Sequence, residues 1–456
     1  MQKSKLTLYI FIALVLGVVT GYIYNANVIN PYNSKINAAE ISIQTINARL
    51  LTLKDTNAVA YKELKAERAA QVTIRKENDE IRESKIQYFS ILSDIFLRLI
   101  KMIVAPLVFT TLVVGVAKVG DIKAVGRIGS KTLLWFLSAT LVSLLLGMLL
   151  VNFFKPGEAM HLMLPDSNVN TGVKGAALSL KEFISHVFPK SIFEALANNE
   201  ILQIVVFALF FGVATAAIGE KGEIVIKAMD AIAHVILKIT GYVMQLAPIA
   251  VFGAITAIIA KQGLGIISTY AIFIVEFYFS LLILWLVIIF AGYAVLRGRA
   301  FHLVGKIKDA MMIAFSTSTS EAAYPKVLIE MERFGCSNKI VSFVLPLGYS
   351  FNLDGSMMYM TFASLFLAQS YGIHLSFSQQ LTMLLILMLT SKGVAGVPRA
   401  SLVVIAGTIA MFGIPEAGLA LLIGIDPLLD MGRSATNVLG NAMATAVVSK
   451  WEGELD

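Results

Sequence analysis

The stretch that decides the fold is DPLLDMGRSATNVLGN, residues 426–441, set in a segment otherwise rich in Leu, Ile, Gly, Ala and Val. Asp426, Asp430, Arg433, Asn437 and Asn441 follow one another at spacings of four, three, four and four, which on a helix places them close to one stripe. Charge in apolar surroundings is costly unless it is paired, hydrated or used. Two accounts fit. Asp430 and Arg433 form a buried structural pair, or the stripe is a polar binding face inside a membrane. The rest of the chain favours the second.

Of 456 residues, 57% are hydrophobic and 15% charged, too little polar surface for a large soluble protein. Apolar stretches at 7–24, 102–117, 132–154, 201–218, 243–260, 266–296, 340–370, 381–412 and 415–449 predict a polytopic helical membrane protein. They are too long and too uniformly apolar for the alternating strands of a barrel. No cleavage segment follows the first, so it is read as a helix rather than a signal peptide. The net charge of +7, from 37 Lys and Arg against 30 Asp and Glu, fits juxtamembrane loops facing anionic lipid and calls for no nucleic acid. Cys336 is the only cysteine, which excludes an intrachain disulfide, and the five histidines are too scattered for a metal cluster.

Basic residues mark one side of the membrane. Lys3 and Lys5 precede the first span, Lys118, Lys123, Arg127 and Lys131 lie between the second and third, and Arg297, Arg299, Lys306 and Lys308 follow the sixth. Residues 42–88 differ in being polar and rich in Lys, Glu and Arg, with few apolar positions for a core stripe. They predict a solvated extracytoplasmic loop with helical content, with a partner-binding arm as the alternative. Asn170, Gly172 and Gly175 mark a further loop before an amphipathic stretch at 178–197.

Three places interrupt apolar runs with turn-forming residues: FSTSTSEAAYP at 315–325, NLDG at 352–355 and TSKGVAGVP at 390–398. Broken helices at membrane depth are tolerated only where protein or a watery cavity surrounds them, and such breaks build transport sites. Asn352 and Asp354 fit either a turn cap or a cation held by carboxylate and amide oxygens.

With KMIVAP at 101–106, the Ser/Thr-rich break at 316–320, NLDG at 352–355, GVAGVP at 393–398 and DMGR at 430–433 followed by Asn437, the chain closely resembles the glutamate/aspartate and C4-dicarboxylate:cation symporter family over nearly its whole length, residues 42–88 apart. The resemblance implies an all-α protein of eight transmembrane helices and two re-entrant hairpins centred on 316–325 and 393–398. It also implies a homotrimer in the bacterial cytoplasmic membrane. A scaffold would comprise 1–131 and 178–260. A transport unit of 132–154 and 266–449 would move like an elevator. Arg433 then resembles the partner of the substrate's distal carboxylate, Asp430 the acceptor for its ammonium, and Asn437 the amide at its amino-acid end, with Ser434 beside them. Ser318, Thr319 and Ser320 correspond to the α-carboxylate site, and Gly393, Ala395, Gly396, Val397 and Pro398 to the tip that closes over the ligand. A guanidinium with a separate carboxylate favours an acidic amino acid over a plain dicarboxylate.

The departures concern the ion. Asn441 stands where sodium-coupled relatives resemble an aspartate, and Phe136 and Ala139 replace hydroxyl-bearing residues of another sodium site. The pattern resembles proton-coupled carriers, with sodium as the alternative. Glu321, Asn352, Asp354, Asn437 and Asn441 are the candidate cation-binding or proton-linked groups, while Met360 replaces a proton-linked glutamate of some relatives. Arg399 follows the second hairpin's proline, where it either snorkels to headgroups or adds charge to the vestibule. No cofactor and no resident metal are expected; the partners are the substrate, the cation, lipid and other copies of the chain. An enzyme is not expected, because no nucleotide-binding glycine loop appears and no histidine base adjoins the Ser/Thr-rich break. A channel or a substrate receptor is the competing class.

Overall fold

The computed structural model describes residues 3–53, 58–119, 122–160, 187–263, 269–391 and 400–456, and these are almost wholly helical. We number the main helices α1 (Lys3–Tyr24), α2 (Asn30–Leu53), α3 (Ala58–Val119), α4 (Ile122–Phe154), α5 (Ile201–Ala217), α6 (Glu220–Val243), α7 (Ala247–Gln262), α8 (Ala271–Leu296), α9 (Arg299–Thr317), α10 (Tyr324–Phe334), α11 (Asn338–Phe351), α12 (Asp354–Ser370), α13 (Phe377–Thr390), α14 (Ala400–Ala410) and α15 (Asp426–Trp451). Among the described residues, five helical segments are long and apolar enough to cross a bilayer: Leu8–Leu50, Val59–Ala117, Lys123–Ala159, Glu220–Gln262 and Ala271–Leu296. Shorter apolar helices at α5, α13 and α14 accompany them. The chain is therefore an all-α, polytopic membrane protein.

Packing falls into two groups. α3 is the hub of one, touching α2, α5, α6 and α7, with α1 lying along α7. α15 is the hub of the other, enclosed by α8, α9, α11 and α12, while α4 covers α12. The groups meet chiefly where α3 and α5 touch α11. Burial of α15 explains its sequence. From Met431 to Ser449 every residue is buried, so its polar side chains must find partners inside the protein.

The helical content expected of the polar segment is present in all its described residues. α1 continues through one π-helical stretch, Asn25–Ile29, into α2, and the 62 residues of α3 run unbroken from polar sequence into the span. At 1.5 Å per residue α3 is about 93 Å long, several times the hydrocarbon thickness. α2 and the first half of α3 therefore form an antiparallel helical hairpin that starts before residue 42. Its seam is a heptad: Ile36, Ala39, Ile43 and Ile46 are buried on α2. α3 faces them with long polar side chains in the same rhythm. Arg68 donates to Asn47 (2.7 Å), Arg75 pairs with Glu40 (3.3 Å) and Arg82 donates to Asn33 (3.1 Å), each step being seven residues on both helices. The apolar half of the seam thus comes from one helix only.

Within the span, α3 continues through Pro106, and the hydroxyls of Thr110 and Thr111 bond the carbonyls of Pro106 (2.8 Å) and Leu107 (2.7 Å). At one end of the molecule several basic residues gather as expected. Arg127 and Lys131 reach Glu452 (2.8 and 2.7 Å), Arg299 donates to the Phe334 carbonyl, and Lys339 pairs with Glu454.

Candidate functional site

α15 carries Arg433 into the centre of its group, where the residue is 2% exposed. Its Nη2 is shared by two carboxylates, Asp430 at 2.9 Å and Asp426 at 3.1 Å, and its Cζ lies 4.0 Å from the centre of the Tyr359 ring. Asp426 sits in the first turn of α15, where the helix N-terminus also favours negative charge. Among the described residues, Nε and Nη1 of Arg433 meet no hydrogen-bond partner. Asp430 keeps 37% of its side chain exposed, whereas Asp426 is buried. The structure therefore contains the Asp430–Arg433 pair, and adds a second acid to it.

Around this pair, neighbouring helices fix α15 by polar contacts. The Tyr278 hydroxyl of α8 donates to the Leu428 carbonyl (2.6 Å), and the Trp285 indole donates to Thr436 (2.7 Å). Ser434 is buried one position beyond Arg433. The break after α9 comes from the other side. Ser318 ends α9 in the left-handed region (φ 52°), and its hydroxyl lies 3.4 Å from the Pro427 carbonyl. The following residues pass through a short 3-10 turn, Glu321–Ala323, into α10. Ser318 thus touches the start of α15. Thr319 offers its carbonyl to Thr317 (3.4 Å), and Ser320 is buried.

A second polar centre lies where α11 stops at Phe351 and α12 starts at Asp354. Asn352 donates to Asp354 (3.0 Å) and to Asn441 (3.2 Å). The Ser143 hydroxyl of α4 donates to the other Asp354 oxygen (3.4 Å), and Thr140 donates to the Phe351 carbonyl (3.4 Å). Asn352 Oδ1 and Asn441 Nδ2 are buried without a hydrogen-bond partner among the described residues. Thr140 and Ser143 thus bring hydroxyls to this centre, one position and one turn beyond Ala139 on α4. No group of three or more His, Cys, Asp or Glu positioned for a metal ion occurs among the described residues.

Asn437 joins the two centres in a way the sequence did not foretell. Its Oδ1 accepts the Gly355 amide (2.9 Å) and the Ser356 amide (3.4 Å), and its Nδ2 donates to the Ser356 hydroxyl (3.2 Å). It therefore caps α12, with one amide hydrogen left for a ligand. Glu321 stands apart from both centres. It lines a separate cavity with Val104, Val108, Ile201, Tyr324, Pro346 and Tyr349, on the side that faces α3 and α5. Met360 is buried in α12. Gly393, Ala395, Gly396, Val397, Pro398 and Arg399, like Asn170, Gly172 and Gly175, lie outside the described residues. Tyr359, Thr140 and Ser143 were missed as site residues, and Asp426, read on the polar stripe, was given no role of its own.

A bundle of spans around interrupted helices, with paired charges buried on the innermost one, defines a secondary carrier rather than an enzyme. The chain belongs to the Sodium:dicarboxylate symporter family, whose model matches residues 6–451. It is 42% identical over 373 residues to a proton/sodium-glutamate symport protein of Bacillus caldotenax, covering 80% of this chain and 88% of that one. It is 41% identical over 374 residues to a C4-dicarboxylate transport protein of Bacillus subtilis, with the same coverage of 80% and 88%. A proton/sodium-glutamate symport protein of Bacillus subtilis is 40% identical over 372 residues, covering 80% and 86%. The chain is a multi-pass membrane transporter that carries a dicarboxylate or acidic amino acid together with a cation.

Proposed function

We propose that the chain carries glutamate or aspartate, driven by protons. The observation that carries this reading is the Arg433 guanidinium, buried between Asp426 and Asp430 with Nε and Nη1 unpaired among the described residues. Nη1 keeps its hydrogens for a substrate carboxylate, which meets the Nη1–Nη2 edge of the fork end-on beside the two aspartates. Asp430, partly exposed beside it, accepts an ammonium. A plain dicarboxylate brings no cation to Asp430, and a buried carboxylate without one is costly.

Charge then explains coupling. Counted formally, one guanidinium and two carboxylates carry a single negative charge, and the substrate brings another. Loading is favourable only when protons or cations enter with it. The Asn352–Asp354–Asn441 centre offers one carboxylate and few oxygens, which favours a proton over a full set of sodium ligands. The glutamate symport relatives, whose names cite both ions, support either cation.

The helix pairs α9–α10 and α13–α14 act as two re-entrant hairpins. With α4, α8, α11, α12 and α15 they form the moving unit, corresponding to 132–154 and 266–449. Helices α1, α3, α5, α6 and α7 form a static scaffold, within 1–131 and 178–260, that assembles as a homotrimer. The division of packing between α3 and α15 supports this grouping.

A C4-dicarboxylate is the second reading, favoured by relatives of that name at nearly equal identity. Counterflow of labelled aspartate into vesicles of purified protein, challenged with glutamate, succinate, malate and fumarate, separates the two. Strong acidic amino-acid exchange that falls at least tenfold in Arg433→Ala supports the first. Efficient succinate exchange without amino-acid exchange overturns it.

A further inference from the structure

Glu321 takes no part in either polar centre and sits instead at the seam between the two packing groups. The 3-10 turn Glu321–Ala323 touches α3. Glu321 shares its cavity with Val104 and Val108 of α3, Ile201 of α5, Tyr324 of α10, and Pro346 and Tyr349 of α11. Among the described residues no basic side chain lines this cavity, so an acid stands there among apolar groups and two phenols. Lys101 supplies the complementary charge. It stands on the stripe of α3 that carries Val104 and Val108, three and seven residues before them, and its charge acts on the Glu321 carboxylate. An ionisable side chain at membrane depth is costly unless it is paired or used, and these two stand on opposite sides of one seam.

The stripe shows what movement would do to the pair. Beyond Lys101, residues 102–117 of α3 carry no charge. Val104, Val108, Thr111 and Gly115 continue the stripe toward Lys118. Gly115 lies so close to α11 that a Cβ there would stand 3.2 Å from that of Ser342. α3 thus presents an uncharged track to the moving unit, with a lysine at one end. A shift of the unit by two turns of α3, about 11 Å, carries Glu321 off Lys101 and sets it against valine and threonine. Separating opposite charges costs more in low-dielectric surroundings than in water. The ion pairs at the helix ends behave differently. Arg127 with Glu452 and Lys339 with Glu454 join helices of the same unit and are carried along with it. Lys101 and Glu321 lie on parts that slide past each other.

We propose that Lys101 and Glu321 form a charge catch between scaffold and moving unit, holding the unit at the Lys101 end of its track and opening when the unit crosses. The catch rests on the division of the chain into scaffold and moving unit, and is independent of the substrate and of the coupling ion. Distances between two nitroxide labels, measured by pulsed electron spin resonance on the full chain in lipid, test both. The labels are placed at Val235→Cys on α6 and Leu286→Cys on α8, both exposed, in a Cys336→Ser background that leaves no other thiol. The native protein is expected to show two distances, the more populated one matching this structure. Lys101→Gln and Glu321→Gln should each raise the ratio of the second distance to the first at least threefold, and the double variant should go no further than the larger single effect. Lys101→Arg, and the exchanged pair Lys101→Glu with Glu321→Lys, should keep the native ratio. Two distances in an unchanged ratio, or neutralisations whose effects add, overturn the catch and leave the division standing. A single distance in every variant, with substrate present or absent, overturns the division and the catch with it.

Discussion

At the scale of single residues the site is a contest for one guanidinium. Asp426 and Asp430 share Arg433 Nη2, and a substrate carboxylate has to approach the same group. Arg433→Lys keeps the charge but loses the planar fork. We expect KM for the acidic substrate to rise at least tenfold, since hydrogen bonds to charged groups contribute about 1.5–3 kcal/mol. Asp426→Asn removes a competitor while Asp430 stays, so substrate KM should fall in counterflow at neutral pH. An unchanged KM would show that Asp426 is structural only. The Asp430–Arg433 pair was legible in the sequence because charge inside an apolar run is conspicuous. Asp426 was visible too, yet its grip on Arg433 depends on a side-chain direction that spacing alone leaves open. Asn437 was legible as a polar group on the stripe, but not as a cap for α12, because that contact spans 82 residues of sequence. Glu321 was conspicuous for the same reason as Arg433, and the turn at Glu321–Ala323 places it at a different cavity.

Elements show where close approach matters. A Cβ added at Gly440 runs into the Asp354 carboxylate, and one at Gly355 meets the Arg433 carbonyl at 2.6 Å. Gly440→Ala should therefore destabilise the protein by about 1–3 kcal/mol and disturb the Asn352–Asp354–Asn441 centre. Thermal unfolding in detergent and cation-dependent uptake both read this out, and an unaltered variant would show that the centre has slack. The end of α15 is held to α4 by Glu452, which receives Arg127 and Lys131. Burial works to raise the pKa of Glu452, but hydrogen bonds from Arg127 and Lys131 and their charges outweigh it and hold it below the ordinary 4.5. A depressed carboxyl stabilises the fold above the unfolded-state value and loses that contribution as pH falls through the folded one. Melting of the native protein should drop more steeply below about pH 4.5 than that of Glu452→Gln, by an amount on the order of 1 kcal/mol, since Arg127 is exposed and screened. The breaks at Ser318 and Asn352 were legible because turn-forming residues interrupt apolar runs. The helical content of residues 42–88 was legible, but the packed α2–α3 hairpin was not, because its heptad is apolar on α2 alone and the α3 half of the seam looks like solvated surface until its arginines are seen to cross it.

For the whole molecule, the decisive question is how two polar centres in different helices make one coupled cycle. Exchange of labelled for unlabelled substrate needs only the loaded carrier to cross, whereas net uptake also needs the empty carrier to return. Empty, the molecule holds Arg433 against its own two aspartates, a formal count of one surplus acid there, with Asp354 a further acid at the second centre. Moving net charge across hydrocarbon is costly, so the rate of the empty return depends on the charge left at these two centres once substrate and cation have gone. Asp354→Asn removes one of these charges without touching Arg433. We expect it to retain counterflow of aspartate while net uptake loses its dependence on the imposed ion gradient. In native vesicles an inward proton gradient should drive accumulation at least tenfold above an equal sodium gradient. If sodium alone drives uptake, and Asp354→Asn abolishes exchange as well, the centre beside α4 is a sodium site that organises the substrate pocket, and the proton reading falls.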